Sequence, residues 1–114
     1  MIAVIFEVDP YPGAAPRYFE LAAELKADLE SIDGFISVER FESLAKPGRF
    51  LSLSFWRDDA AVRSWRCRGT HRQAQQEGRR DIFAGYRLRV ATIVRDYGLL
   101  DCEAAAPDSR STLI

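Results

Sequence analysis

The chain opens on IAVIFEV, where Ile2, Val4, Phe6 and Val8 fall on one side of an extended backbone and Ala3, Ile5 and Glu7 on the other. Both sides are largely apolar, which predicts a strand covered on both faces. DPYPG at 9–13 ends it, because proline removes a ladder donor and glycine permits a sharp reversal. From Pro16 the period lengthens. Tyr18, Leu21, Ala22, Leu25, Leu29 and Ile32 recur at spacings of three and four, with Glu20, Glu24, Lys26, Asp28 and Glu30 opposite them. This predicts an amphipathic helix that ends near Ser31 and is stopped by Asp33 and Gly34. FISVERFES then sets Phe35, Ser37, Glu39 and Phe41 against Ile36, Val38 and Arg40. The loop LAKPGR joins it to FLSLSFW at 50–56, a hairpin of two antiparallel strands.

Asp58 and Asp59 open a second helix, since a short carboxylate caps free backbone amides and meets the positive end of the helix dipole. Ala61, Val62 and Trp65 form its inner side. Gly69 and Thr70 break it, and HRQAQQEGRR resumes as a further helical piece up to Gly78. YRLRVATIVRDY at 86–97 alternates Tyr86, Leu88, Val90, Thr92 and Val94 with Arg87, Arg89, Ala91, Ile93 and Arg95, and is the fourth strand. Residues 1–98 make one domain, and 99–114 form a C-terminal extension of weak periodicity that lies on a partner subunit or frays.

The order strand, helix, strand, strand, helix, strand is the split βαβ of an α+β, ferredoxin-like βαββαβ fold with a four-stranded antiparallel sheet. Right-handed crossovers put both helices on one face. The other face carries large aliphatic side chains, each forgoing roughly 1.5–3 kcal/mol if left in water. Two copies pairing their bare faces remove that penalty, so the expected assembly is a homodimer closed as a dimeric α/β barrel.

Hydrophobic residues make up 47% and charged residues 29% of the 114, enough apolar content for a packed core. The 16 basic and 17 acidic residues nearly cancel, which gives the chain no overall pull toward nucleic acid or an anionic membrane. Positive charge nonetheless gathers in the second half, from Arg57 to Arg95. Those arginines either pair with the acidic first half or a second subunit, or build an oxyanion site, since guanidinium matches planar oxyanions in a bidentate way. Cys67 and Cys102 form neither a disulfide framework nor a zinc spacing, and a cytoplasmic location is the expectation. No glycine-rich phosphate loop occurs and histidine appears once, so no metal or tightly bound cofactor is expected.

The segment LSFWRDDAAVRSWRCRGTHRQAQQEGRRDIFAGYRLRVATIVRDYG, at 53–98, resembles the antibiotic biosynthesis monooxygenase family of dimeric α/β barrels, and the likeness extends over residues 1–98. The resemblance implies either cofactor-free oxidation of polycyclic phenols by O2 or, in haem-degrading members, haem chemistry. For the first, Trp56 matches a tryptophan of the family, whereas Ser52, Val62 and Phe41 stand where an amide, a tyrosine and a histidine would be. For the second, Trp65 matches, but Gln75 stands at the position of the iron ligand, and Phe6 and Glu7 replace a first-strand asparagine; His71 lies six residues after Trp65.

The resulting expectation is a monooxygenase acting with O2 and no cofactor on a small aromatic, phenolic or quinone-like molecule. His71 is the candidate general base, because its unperturbed pKa lies near neutrality, and Trp56 is the candidate catalytic wall. Trp65, Tyr86 and Phe55 are the candidate substrate contacts. The alternatives are a protein that binds or degrades haem and a non-catalytic dimer that binds a small ligand.

Overall fold

A computed structural model describes residues 1–104. Strand β1 (Ile2–Pro10) leads into helix α1 (Ala15–Glu30), then β2 (Phe35–Glu42) and β3 (Phe50–Trp56). Helices α2 (Asp59–Arg66) and α3 (Gly69–Glu77) follow, and a π-helical turn, Gly78–Ile82, feeds directly into β4 (Phe83–Thr92). The four strands form one sheet in the order β2-β3-β1-β4, every pair antiparallel. This is the ferredoxin-like arrangement. Residues 99–104 form short 3-10 turns, and the rest of the expected extension, 105–114, lies outside the described residues.

Register decides what each face carries, because directly paired residues share a side. Ile2, Val4, Phe6 and Val8 pair with Trp56, Ser54, Ser52 and Phe50 of β3 and with Thr92, Val90, Leu88 and Tyr86 of β4. That side meets the helices. Near one end, Leu29, Ile32, Ala61 and Val62 close over Trp56; near the other, Val8, Tyr18 and Ile82 pack together with Phe50 and Phe83. The opposite side is open. It presents Ile5 flanked by Leu53 of β3 and Arg89 of β4, with Leu51 paired to Phe41 and Phe55 paired to Ala3.

Two boundaries depart from strict periodicity. In β2 the register shifts between Phe35 and Ser37, so Ile36 is an extra residue. Phe35 thereby joins Val38 on the helix side and meets the Trp56 ring edge-on at 5.3 Å, instead of sharing a side with Ser37. Strand β4 begins at Phe83, three residues before the expected start, because the π-helical turn delivers the chain straight to the sheet edge. It ends at Thr92 because its ladder partner ends: Thr92 pairs with Ile2, and the last bond runs from the Ile93 amide to the Met1 carbonyl.

The connections obey the expected local chemistry. Asp58 caps α2, its Oδ1 accepting from the Ala61 amide at 2.9 Å. Gly34 turns the chain at φ +94° and brings its backbone against Ala61, where an added Cβ would lie 2.8 Å from the alanine methyl. Several second-half arginines pair with first-half acids, as in Arg57 with Asp33, Arg68 with Asp28 and Arg89 with Glu7.

Candidate active site

The helices do not fill the space above the sheet. A cavity of about 210 Å³ lies between α1, the α2–α3 pair and the helix-facing side of the sheet. Its origin is legible in β3. The run FLSLSFW sends Leu51, Leu53 and Phe55 to the open side and, between Phe50 and Trp56 at its ends, only Ser52 and Ser54 toward the helices, so mid-strand the inward residues are too short to reach the opposite layer.

Trp56 forms one wall and is 2% exposed. Its Nε1 donates to Ser54 Oγ at 2.9 Å, which satisfies the buried indole without help from a ligand. At the far side, Trp65 and His71 meet at a ring-centroid distance of 4.8 Å with the planes tilted by 44°, bringing together two residues on separate helices across the Cys67–Arg68 bend. Both rings line the cavity. Nδ1 of His71 is buried with no hydrogen-bond partner. Burial pushes the imidazole pKa down from 6.5; attraction to the Arg66 backbone carbonyl opposes that shift and the Arg66 guanidinium adds to it. The ring is therefore neutral at pH 7 and able to accept a proton.

Tyr86 lines the cavity from β4, half exposed, with its ring 5.6 Å from Phe6 and 5.9 Å from Phe83. Phe55 does not line it. Strand alternation turns Phe55 to the open side while Trp56, its neighbour, faces the helices, which corrects the expectation that both touch one ligand. Ser52, Val62 and Gln75 reach the cavity, whereas Phe41 lies on the open side. The volume is below the roughly 300–1,000 Å³ usual for drug-sized ligands, which favours a ligand of one or two rings over a macrocycle.

Several cavity residues were not among the expected site residues, Ser54 and Arg40 among them. Ser54 carried the signal of a small polar residue at an inward strand position. Arg40 carried that of a charge on the helix side of β2; its guanidinium lies 5.9 Å from the centre of the Tyr18 ring. Among the described residues no group of His, Cys, Asp and Glu side chains could hold a metal ion.

The antibiotic biosynthesis monooxygenase family profile matches residues 1–77. The chain belongs to this family. It is 45% identical over 93 residues to a jasmonate monooxygenase of Pyricularia oryzae, a match covering 82% of this chain and 43% of the relative, so the chain spans less than half of that protein's length. Among solved structures, Rv0793 of Mycobacterium tuberculosis superposes with a TM-score of 0.75 at 18% identity, covering 85% of this chain and 98% of that one. SnoaB of Streptomyces nogalater, a cofactor-independent oxygenase, superposes with a TM-score of 0.72 at 14% identity, covering 83% and 94%. At those identities the likeness to solved structures is one of fold.

Proposed function

We propose that the chain is a monooxygenase that uses O2 without a bound cofactor on a small aromatic or quinone-like molecule seated in the cavity. The observation that carries this reading is the neutral His71 imidazole, in contact with Trp65, with a buried Nδ1 that has no hydrogen-bond partner, in a largely apolar hollow. Family membership and the names of the Pyricularia and Streptomyces proteins support the same class of reaction.

His71 removes the hydroxyl proton of a phenol whose keto tautomer carries an oxidisable methylene, so that in the phenol form the reacting carbon holds a single hydrogen. The resulting anion passes one electron to O2, and the substrate radical and superoxide combine at that carbon to form a peroxide. Loss of the remaining proton from the carbon breaks the O–O bond and leaves a carbonyl, while the second oxygen departs as water. Conversion of CH2 to C=O supplies all four electrons, so the balance needs no external reductant. Trp65 stacks on the ring, Trp56 walls the cavity and excludes water, and Tyr86 lies at its β4 side.

The functional unit in this reading is a homodimer, since Ile5, Leu51, Leu53 and Phe55 on the open side remain partly exposed in one copy and Phe41 is 43% exposed. Sedimentation that finds only a monomer at micromolar concentration removes this part.

Incubation under 18O2 with a panel of phenols, dihydroquinones and jasmonate, followed by mass spectrometry, tests the reaction. One product should carry a single 18O atom, and His71→Ala should lower turnover by about 10²–10⁴-fold with the fold intact. A panel that takes up no oxygen, or a His71→Ala protein with undiminished turnover, refutes the assignment.

A further inference from the structure

Charge is distributed unevenly around the cavity. Arg40, Arg66 and Arg79 all line it, and no aspartate or glutamate does. Elsewhere on the described surface Arg72, Arg87 and Arg95 likewise have no carboxylate within ion-pair distance among the described residues, but Arg17 forks onto Glu77, Arg49 onto Asp9, Arg57 onto Asp33 and Arg89 reaches Glu7. None of those four lines the cavity. The three that do have no carboxylate within ion-pair distance among the described residues. They come from three different elements, β2, the end of α2 and the π-helical turn, so helix periodicity alone does not group them. The hollow is thus apolar within, carries three uncompensated positive charges and contains no negative one.

We propose that this cavity selects a small apolar oxyanion, foremost a carboxylate, with its hydrocarbon ring inside against Trp65 and its anionic group held by Arg40, Arg66 or Arg79. This rests on the cavity being the ligand site and names a class of ligand, whatever reaction follows. The size is appropriate: an engineered apolar cavity of about 150 Å³ admits benzene, and about 210 Å³ leaves room for a ring with a short acidic arm. Arg40, Arg66 and Arg79 are exposed residues at the rim of the hollow, where guanidinium groups can bind a carboxylate through paired, charge-assisted hydrogen bonds while the ring enters the apolar interior. Burial is the main cause that lowers the His71 pKa and the Arg66 charge adds to it, so an anion paired to Arg66 would remove that smaller contribution and make the imidazole somewhat more basic when ligand is present.

The test uses isothermal titration calorimetry on the full chain at pH 7.5 with 2-naphthoate, naphthalene-2-sulfonate and methyl 2-naphthoate, which share a ring system and differ in charge or anion type. Naphthoate should bind roughly tenfold or more tightly than its ester, and the gap should narrow as salt rises. The combined variant Arg40→Gln, Arg66→Gln, Arg79→Gln should bring the acid to the level of the ester and leave the ester unchanged. Ala22→Phe, which fills the hollow, should abolish both. A sulfonate that binds as well as the carboxylate widens the class to oxyanions in general and still supports the proposal. An acid that fails to bind, that binds no better than its ester, that keeps its advantage in the triple variant or that still binds in Ala22→Phe overturns it. Acid selectivity without oxygen uptake by any substrate would sink the monooxygenase reading alone.

Discussion

Replacing Gly78 with alanine should destabilise the protein through one ring. A Cβ there would lie 2.3, 2.7 and 2.9 Å from three atoms of the Phe83 side chain, against the roughly 3.5–4.0 Å of an unstrained carbon contact. Phe83 cannot simply swing aside. Its ring packs against Phe6 at 5.5 Å, Tyr86 at 5.9 Å and Tyr18 at 6.1 Å, and its backbone amide bonds to the Gly78 carbonyl. Overpacking of this kind costs about 1–3 kcal/mol, while alanine in place of glycine within a helix returns up to about 1 kcal/mol. The expected net loss is about 1–2 kcal/mol, seen as a lower urea midpoint at unchanged m-value and a Tm lower by roughly 4–8 °C per kcal/mol for a domain of this size. Protein concentration must be held fixed, because any dimer adds a concentration term. Adding Phe83→Leu removes the clashing ring, so Gly78→Ala should be neutral or stabilising in that background. Because Phe83 also lines the cavity, the single variant should weaken ligand binding as well. A Gly78→Ala protein as stable as the parent, or an equal penalty in the Phe83→Leu background, refutes the packing argument.

Ser54→Ala leaves the buried Trp56 N–H without an acceptor and should cost about 1–3 kcal/mol in urea unfolding. Burial keeps the His71 pKa below 6.5 in the folded state, so as pH falls below 6.5 the unfolded chain takes up that proton first. Stability should therefore decline from pH 6.5 down to the folded-state pKa, and His71→Gln should flatten the decline there; an unchanged slope contradicts the burial argument. Asp58→Leu removes the α2 cap and should lower Tm, whereas Asp58→Asn, which keeps an acceptor for the Ala61 amide, should retain most of the stability in parallel thermal scans.

Much of the fold was legible because its elements have distinct periods. The three- and four-residue spacing from Tyr18 to Ile32 and the two-residue spacing from Phe50 to Trp56 each describe a surface half covered by protein. The rest depended on neighbours. A bulge is invisible to alternation, so Phe35 was assigned to the wrong side of β2. The start of β4 was hidden because Gly85 interrupts its apolar run and because a π-helical turn leaves no polar loop before Phe83. In the site, the concentration of Trp56, Trp65 and His71 within a short stretch was informative, and two of those rings touch. Proximity in sequence also misled: adjacent strand residues face opposite ways, and Phe55 went with the open side. Arg40 was missed because its relevance comes from the helix packed above it, which no local pattern encodes.

The extra residue in β2 carries a last implication. On either side of Ile36 the ladder is already correct, with Phe35 opposite Trp56 and Ser37 opposite Phe55. Excising Ile36 would therefore shorten the chain without inverting any downstream side chain, an in-frame loss the sheet can absorb by untwisting locally. The same excision at Val38 would turn part of the strand inside out, so tolerance to deletion should change sharply within two positions.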